Sequence, residues 1–158
     1  TGVIFDVAKN EIFWAETGRG AWLDNRKLRV AARRDLHETV IATGTPWHGI
    51  PGETHVSFAR EIAAMTPVTA GIRRYGSASL DLAWVAAGRF DGFWERGLKP
   101  WDIAAGIVLV REAGGVISEI DGGDVLQTGS ILATNSDLHP KLEKQIRHAA
   151  SFGKAASV

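Results

Sequence analysis

Hydrophobic and polar positions change their rhythm along the chain near residue 35. Before that point, short apolar or alternating stretches are separated by polar and glycine turns, and they cover residues 2–7, 11–17 and 21–30. Short turns between such stretches predict antiparallel strands. We therefore expect residues 1–35 to belong to the end of an antiparallel sheet layer.

Beyond residue 35 the apolar runs alternate with helical patterns, which is typical of an α/β layer. Strands are predicted at residues 40–43, 68–75, 90–94, 115–120 and 131–134. Helices are predicted at 53–65, 77–87 and 101–112, with a last helix after residue 136. The predicted fold class is α/β, an α+β layered sandwich with a C-terminal α/β domain over residues 36–158.

Helical spacing also predicts which faces are buried. In the first helix the candidate buried stripe is Val56, Ala59, Ile62 and Ala63; in the last it is Leu138, Leu142, Ile146 and Ala149. Ser136 is predicted to cap the last helix. The tail at 151–158 is expected to fray.

Composition limits the classes of function. The chain has 158 residues, enough to bury a core, and its 18 basic residues balance 18 acidic ones, so neither nucleic acid nor an anionic membrane is an expected partner. No apolar run reaches the roughly 20 residues that cross a bilayer. Cysteine is absent, which excludes thiolate chemistry and leans toward the cytoplasm.

The chain opens at Thr1 directly into the strand pattern of residues 3–7. An interior strand with no preceding partner leads us to expect a fragment, whose amino-terminal part was cleaved or left out.

One carboxylate stands where a helix is predicted to begin, in the stretch Pro100-Trp101-Asp102. Proline and aspartate both suit a helix start, so Asp102 is either a cap or a ligand. The stretch Gly76-Ser77-Ala78-Ser79 lies between a strand and a helix, where it is either a simple serine cap or a binding place for an anion.

Glu95 follows a predicted strand, at the end that faces ligands in α/β sheets. Its alternative is a surface ion pair with Arg96 or Lys99. Arg73-Arg74 could meet a phosphate or a neighbouring subunit.

Other polar residues receive no role at this stage. We predict solvated positions for Asp81, Asp91, Glu112, Asp121 and Asp124. The five histidines lack metal-binding spacing. The six tryptophans are expected to pack in the core or at an interface.

A series of short motifs resembles the inositol monophosphatase family of magnesium-dependent sugar-phosphate phosphatases, in the family's order and over nearly the whole chain. The matching elements are Gly2-Val3-Ile4-Phe5, Ala15-Glu16-x-Gly-x-Gly-Ala21, Leu28-Arg29-Val30, Ala42-Thr43-Gly44, Gly76-Ser77-Ala78, residues 101–106 and residues 112–115. The resemblance implies the C-terminal three fifths of such a protein.

The resemblance also implies roles for particular residues. Asp102 corresponds to a metal ligand for Mg²⁺, Glu95 to an acceptor of hydrogen bonds from sugar hydroxyls, and Gly76, Ser77 and Ala78 to the lining of the substrate site. The family's glutamate-bearing first metal motif and its Asp-Pro-(Leu/Ile)-Asp-Gly-(Thr/Ser) motif are absent. We therefore expect no catalytic residue in this chain and no activity of the chain alone.

The implied protein is a cytoplasmic, dimeric, lithium-sensitive inositol-1-monophosphatase that acts on a small phosphate ester. Related substrates stay open: fructose 1,6-bisphosphate, histidinol phosphate and adenosine 3',5'-bisphosphate. So does a different class of function, a binding partner of the transcription machinery like bacterial relatives of the extragenic-suppressor type.

Overall fold

Alternation of inward and outward residues makes the first part of the chain an antiparallel sheet. The computed structural model describes residues 1–149, so the tail at 151–158 lies outside the described residues. The strands, paired in chain order, are β1 (Gly2–Asp6), β2 (Glu11–Glu16), β3 (Gly20–Leu23) and β4 (Arg26–Lys27). The predicted strand at 21–30 is interrupted at Asp24, whose φ of 51° forms a turn.

A second, mixed sheet follows. Its strands are β5 (Val40–Thr43), β6 (Gly71–Arg73), β7 (Gly92–Glu95), β8 (Val116–Ser118) and β9 (Ile131–Thr134), in the order β6-β5-β7-β9-β8. Strand β5 runs parallel to both neighbours, whereas β9 is antiparallel to β7 and β8. The predicted strands at 68–75 and 115–120 are shorter in the structure, and the one at 90–94 is shifted so that Glu95 is its last residue.

Five helices and one 3₁₀ turn complete the described chain. They are the 3₁₀ turn at Leu36–Glu38, α1 (Gly52–Met65), α2 (Ala78–Ala86), α3 (Pro100–Glu112), α4 (Val125–Thr128) and α5 (His139–Ala149). The 3₁₀ turn and α4 were not predicted, because three or four residues are too few to show helical periodicity.

Two cores define the layers. One lies between the antiparallel sheet, helices α2 and α3, and one face of the mixed sheet; the other lies between the opposite face of that sheet and helices α1 and α5. Helices α2 and α3 approach closely at Gly106. A Cβ at this position would lie 2.5 Å from Leu82 Cβ, so the close approach requires glycine. The fold is therefore the predicted α/β layered sandwich, and the boundary near residue 35 stays a prediction.

The apolar spacing of α1 predicts its buried face only in part, since Ile62 is half-buried and packs against the second core. Glu61, Ala64 and Met65 are buried there, whereas Val56 is 50% exposed. The pattern misleads because Glu61 reads as an outward residue, yet its carboxylate is buried through bonds to Trp94 and Arg96.

The predicted stripe of the last helix is confirmed, since Leu138, Leu142, Ile146 and Ala149 are all buried. Its predicted cap is wrong. Asn135, not Ser136, stands at the start of this turn, and Asn135 Oδ1 accepts hydrogen bonds from the N–H groups of Asp137 and Leu138.

None of the helices within residues 1–149 combines the length and the apolar character that a membrane span requires.

Candidate active site

Three strand ends and two helix starts meet at one edge of the mixed sheet. Because β5, β6 and β7 are parallel, their carboxyl ends lie side by side, and ligands bind at such an edge in α/β folds. The hydroxyl of Thr43 at the end of β5 donates a hydrogen bond to the Trp94 carbonyl, 2.7 Å away in β7. Helices α2 and α3 begin just beyond this edge.

A polar cavity of about 330 Å³ lies at this place. Its lining includes all five residues predicted for the site: Gly76, Ser77, Ala78, Glu95 and Asp102. Arg74, Ser79, Gly44, Thr45 and Leu98 complete it. The sequence allowed two partners for Arg74, a phosphate or a neighbouring subunit. In the structure Arg74 lines the polar cavity.

The start of α2 presents backbone donors to this cavity. Gly76 has a φ of 86°, a conformation that favours glycine, and Ser77 occupies the N-cap position. Ser77 does not cap the helix with its side chain, since its Oγ lies 3.3 Å from Ser79 Oγ instead. The first N–H groups of a helix have no intrahelical acceptor, so they are available to an anion or a hydroxyl.

The Glu95 side chain lies directly over the backbone of Gly44. A Cβ built at Gly44 would overlap the Glu95 carboxylate, so only glycine permits this arrangement. The alternative of a surface ion pair is wrong for the described residues: Arg96 binds Glu61 and Asp121 instead. Within residues 1–149 the Glu95 carboxylate makes neither a hydrogen bond nor an ion pair.

Burial raises the pKa of Glu95 to about 7, with the negative charge of Asp81 adding to the effect and Arg74 opposing it. Asp81 was predicted to be solvated, and this is wrong, because its residue exposure is 0%. Burial likewise raises the pKa of Asp81 to about 7 against the opposing charge of Arg74. Neither oxygen of Asp81 has a hydrogen-bond partner in residues 1–149. The site edge therefore holds two desolvated carboxyl groups.

Asp102 caps the start of α3 with one carboxylate oxygen, and the other oxygen is available to a ligand. Its Oδ2 accepts a hydrogen bond from the Lys99 N–H at 3.0 Å, while Oδ1 has no partner in the described part of the chain. The capping alternative is thus observed, and it leaves the ligand alternative open. No group of three or more His, Cys, Asp or Glu side chains within residues 1–149 could hold a metal ion, so Asp102 could supply only part of a metal site.

Two further acidic residues hold the fold together. Asp91, predicted to be solvated, is buried: its Oδ2 accepts from the Val40 N–H at 2.8 Å and its Oδ1 from Arg33 at 3.0 Å. Glu112 is half-buried and accepts from the N–H groups of Gly18 and Gly20, each at 2.9 Å. Asp121 and Asp124 are exposed, as predicted.

The tryptophans divide between core and surface. Trp84 and Trp94 are buried, which confirms the packing prediction for them. Trp47 and Trp101 are 70% and 78% exposed, so they are not core residues. Trp47 lies between β5 and α1, and Trp101 lies in the first turn of α3.

Comparison with known proteins places these features in a family. The family model described as "Inositol monophosphatase family" matches residues 1–151. An inositol-1-monophosphatase of Caulobacter vibrioides is 52% identical over 151 residues, which cover 94% of this chain and 58% of that protein. The Nus factor SuhB of Escherichia coli is 47% identical over 134 residues, covering 84% of this chain and 49% of the relative.

Solved structures agree with this assignment. The extragenic suppressor protein suhB from Bartonella henselae superposes with a TM-score of 0.86 at 46% identity, over 92% of this chain and 56% of that one. The inositol monophosphatase from Anabaena gives a TM-score of 0.82 at 37% identity, over 92% and 57% of the two chains. This chain spans about half to three fifths of the length of these relatives. The chain belongs to the inositol monophosphatase family.

Proposed function

We propose that this chain forms the alcohol-binding part, and one metal-facing edge, of a magnesium-dependent phosphate monoester hydrolase of the inositol-1-monophosphatase type. The observation that carries the proposal is the convergence of Glu95, Asp102 and the start of α2 on one polar cavity. Together they offer hydrogen-bond acceptors, an anionic oxygen and backbone N–H donors. The hydroxyls of a phosphorylated polyol need acceptors, its phosphate needs N–H donors, and a carboxylate oxygen can hold a metal ion beside that phosphate.

Each group has a role in this proposal. Glu95, held over Gly44, accepts hydrogen bonds from hydroxyls of the alcohol. The first N–H groups of α2 donate to an oxygen of the substrate, aided by the hydroxyls of Ser77 and Ser79. Arg74 supplies positive charge at the same cavity and attracts the anionic ester.

The carboxylate of Asp102 fits a magnesium ion, which prefers hard oxygen ligands. The free Oδ1 atom is the candidate ligand, and the other ligands would come from outside residues 1–149. When bound, magnesium supplies positive charge that favours attack of water on phosphorus and departure of the alcohol oxygen. The capping bond from Lys99 keeps the Asp102 carboxylate oriented for this task.

The proposal predicts a difference between this chain and a complete enzyme, defined as this chain joined to the amino-terminal part that family members carry. With excess magnesium, the complete enzyme should release phosphate from inositol 1-phosphate. The 158-residue chain alone should show no release above background, because the water-activating motifs are absent from it. Turnover by the chain alone at the rate of an intact relative would overturn both the division of the site and these roles.

Three other phosphate esters are alternative candidate substrates: fructose 1,6-bisphosphate, histidinol phosphate and adenosine 3',5'-bisphosphate. Relative kcat/KM values on the complete enzyme would rank them against inositol 1-phosphate. Homodimer formation, inhibition by lithium and a cytoplasmic location are further parts of the proposal, which follow from the family resemblance.

A second candidate function is binding to the transcription machinery. Relatives named Nus factor SuhB, 45–48% identical to this chain, support it. The zero formal charge of this chain favours the enzyme instead. An upstream sequence that lacks the family's metal ligands would favour the binding role.

A further inference from the structure

A second cavity, of about 270 Å³, adjoins the polar one. The two cavities share five lining residues: Gly44, Thr45, Glu95, Leu98 and Asp102. A molecule whose polar part contacts Glu95 therefore has the second cavity within reach of its remaining atoms.

Apolar side chains form much of the wall of this second cavity. They come from the segment between β5 and α1, from α1 itself and from the loop after β7: Pro46, Trp47, Ile50, Phe58 and Leu98. Ile50, Phe58 and Leu98 are half-buried, and Trp47 is mostly exposed.

The buried charge on this wall is already neutralised. Glu61 Oε2 accepts from Trp94 Nε1 at 3.0 Å, and Glu61 Oε1 accepts from Arg96 Nε at 2.7 Å. Arg96 also binds Asp121. Because these groups satisfy each other, they offer no unpaired charge within residues 1–149. Apart from Lys99 and the shared border at Glu95 and Asp102, the wall therefore favours apolar contact.

We propose that this cavity is a subsite for an apolar or aromatic group carried by the alcohol of the phosphate ester. The inference rests on the proposed function and adds a substrate class to it, aryl-substituted alkyl phosphates. Binding pockets for whole ligands occupy about 300–1,000 Å³, so a cavity just below that range suits one ring and not a large ligand.

The test compares 2-phenylethyl phosphate with ethyl phosphate on the complete enzyme, since both release a primary alcohol. The ratio of their kcat/KM values should be at least about tenfold in favour of the phenyl compound, as expected for a ring in an apolar pocket. Thr54 lines the cavity from α1, and Thr54→Trp should fill it and bring the ratio close to one. Hydrolysis of inositol 1-phosphate should stay within about twofold.

Two further variants control for the effect of the added tryptophan and for loss of folding. Val56→Trp adds the same side chain on the exposed face of α1 and should keep the wild-type ratio. Ile50→Asn removes an apolar wall without filling the cavity and should also lower the ratio, which covers a failure of Thr54→Trp to fold.

A wild-type ratio near one, with inositol 1-phosphate still hydrolysed, would overturn the subsite and leave the proposed function intact. A high ratio that neither Thr54→Trp nor Ile50→Asn lowers would overturn its location. Failure to hydrolyse any of the three esters would contradict the proposed function and the subsite with it.

Discussion

Two regions of the molecule differ in whether their buried carboxylates have hydrogen-bond partners. Outside the polar cavity, four buried carboxylates have hydrogen-bond partners within residues 1–149. Asp6 accepts from Ala8 and Lys9, Asp91 from Val40 and Arg33, Glu61 from Trp94 and Arg96, and Glu119 from Asp121 and Thr128. These bonds offset the cost of burying the charge.

At the site edge the opposite holds. Asp81 is fully buried without a partner in residues 1–149, and Glu95 is half-buried without one. The pKa of each is about 7. An unpartnered buried carboxylate lowers the stability of the fold. Of these two groups Glu95 lines the polar cavity, whereas Asp81 acts on Glu95 through its charge. The contrast is the basis on which we propose a ligand-binding role for Glu95.

Asp102 stands between these two classes: within residues 1–149 its Oδ2 is hydrogen-bonded and its Oδ1 has no partner. Its substitution should have the largest effect. In the complete enzyme, Asp102→Asn should keep the cap and lose the anionic ligand. Phosphate release should fall at least about a hundredfold, roughly 2.7 kcal/mol of transition-state stabilisation, and half-saturation should move to higher magnesium. The melting temperature in chelator should change by only a few degrees.

The matched control is Asp124→Asn, because Asp124 also caps a helix, by accepting from the Leu126 N–H at 2.8 Å, but lies outside the polar cavity. It should leave both turnover and the magnesium response unchanged. Near-normal activity of Asp102→Asn would remove Asp102 from the site, and a large loss of stability in chelator would make its role structural.

Glu95 belongs wholly to the unpartnered class, and its effect should come next in size. At pH 8, above the pKa of about 7, Glu95→Gln removes a charged acceptor and should cost about 1.5–3 kcal/mol in kcat/KM for inositol 1-phosphate. Gly44→Ala should give a loss in the same direction, because the added methyl group displaces the Glu95 carboxylate. Steady-state kinetics on both variants check this. Unchanged kcat/KM in Glu95→Gln would show that the carboxylate does not contact the alcohol.

The sequence predicts which residues meet at the polar cavity better than it predicts burial. Gly76–Ala78, Glu95 and Asp102 were identified because motif order and positions at strand and helix ends are local properties of the chain. Asp81 and Asp91 were misjudged because charge alone predicts solvent exposure, whereas tertiary partners and site geometry decide it.

Fold prediction has a parallel limit. The main helices were located to within a residue or two, yet the buried face of α1 was predicted only in part. Its inward residue is Glu61, whose partners are Trp94 and Arg96, more than 30 residues away in sequence. The apolar cavity was likewise invisible, since three separate segments build it.

The contrast between partnered and unpartnered acids is tested most directly by thermal unfolding of this chain in chelator at pH 5 and pH 8. The pKa of Asp81 rises from 3.8 to about 7 on folding. Between these values the folded state binds more protons than the unfolded state, so Asp81 costs stability as pH rises toward 7.

Asp81→Asn should therefore raise the melting temperature at pH 8 by several degrees, and by less at pH 5. Glu61→Gln should lower the melting temperature at both pH values, since it weakens the bonds to Trp94 and Arg96 and costs about 1–3 kcal/mol of unfolding free energy. Destabilisation by Asp81→Asn at pH 8, equal to that of Glu61→Gln, would contradict the account.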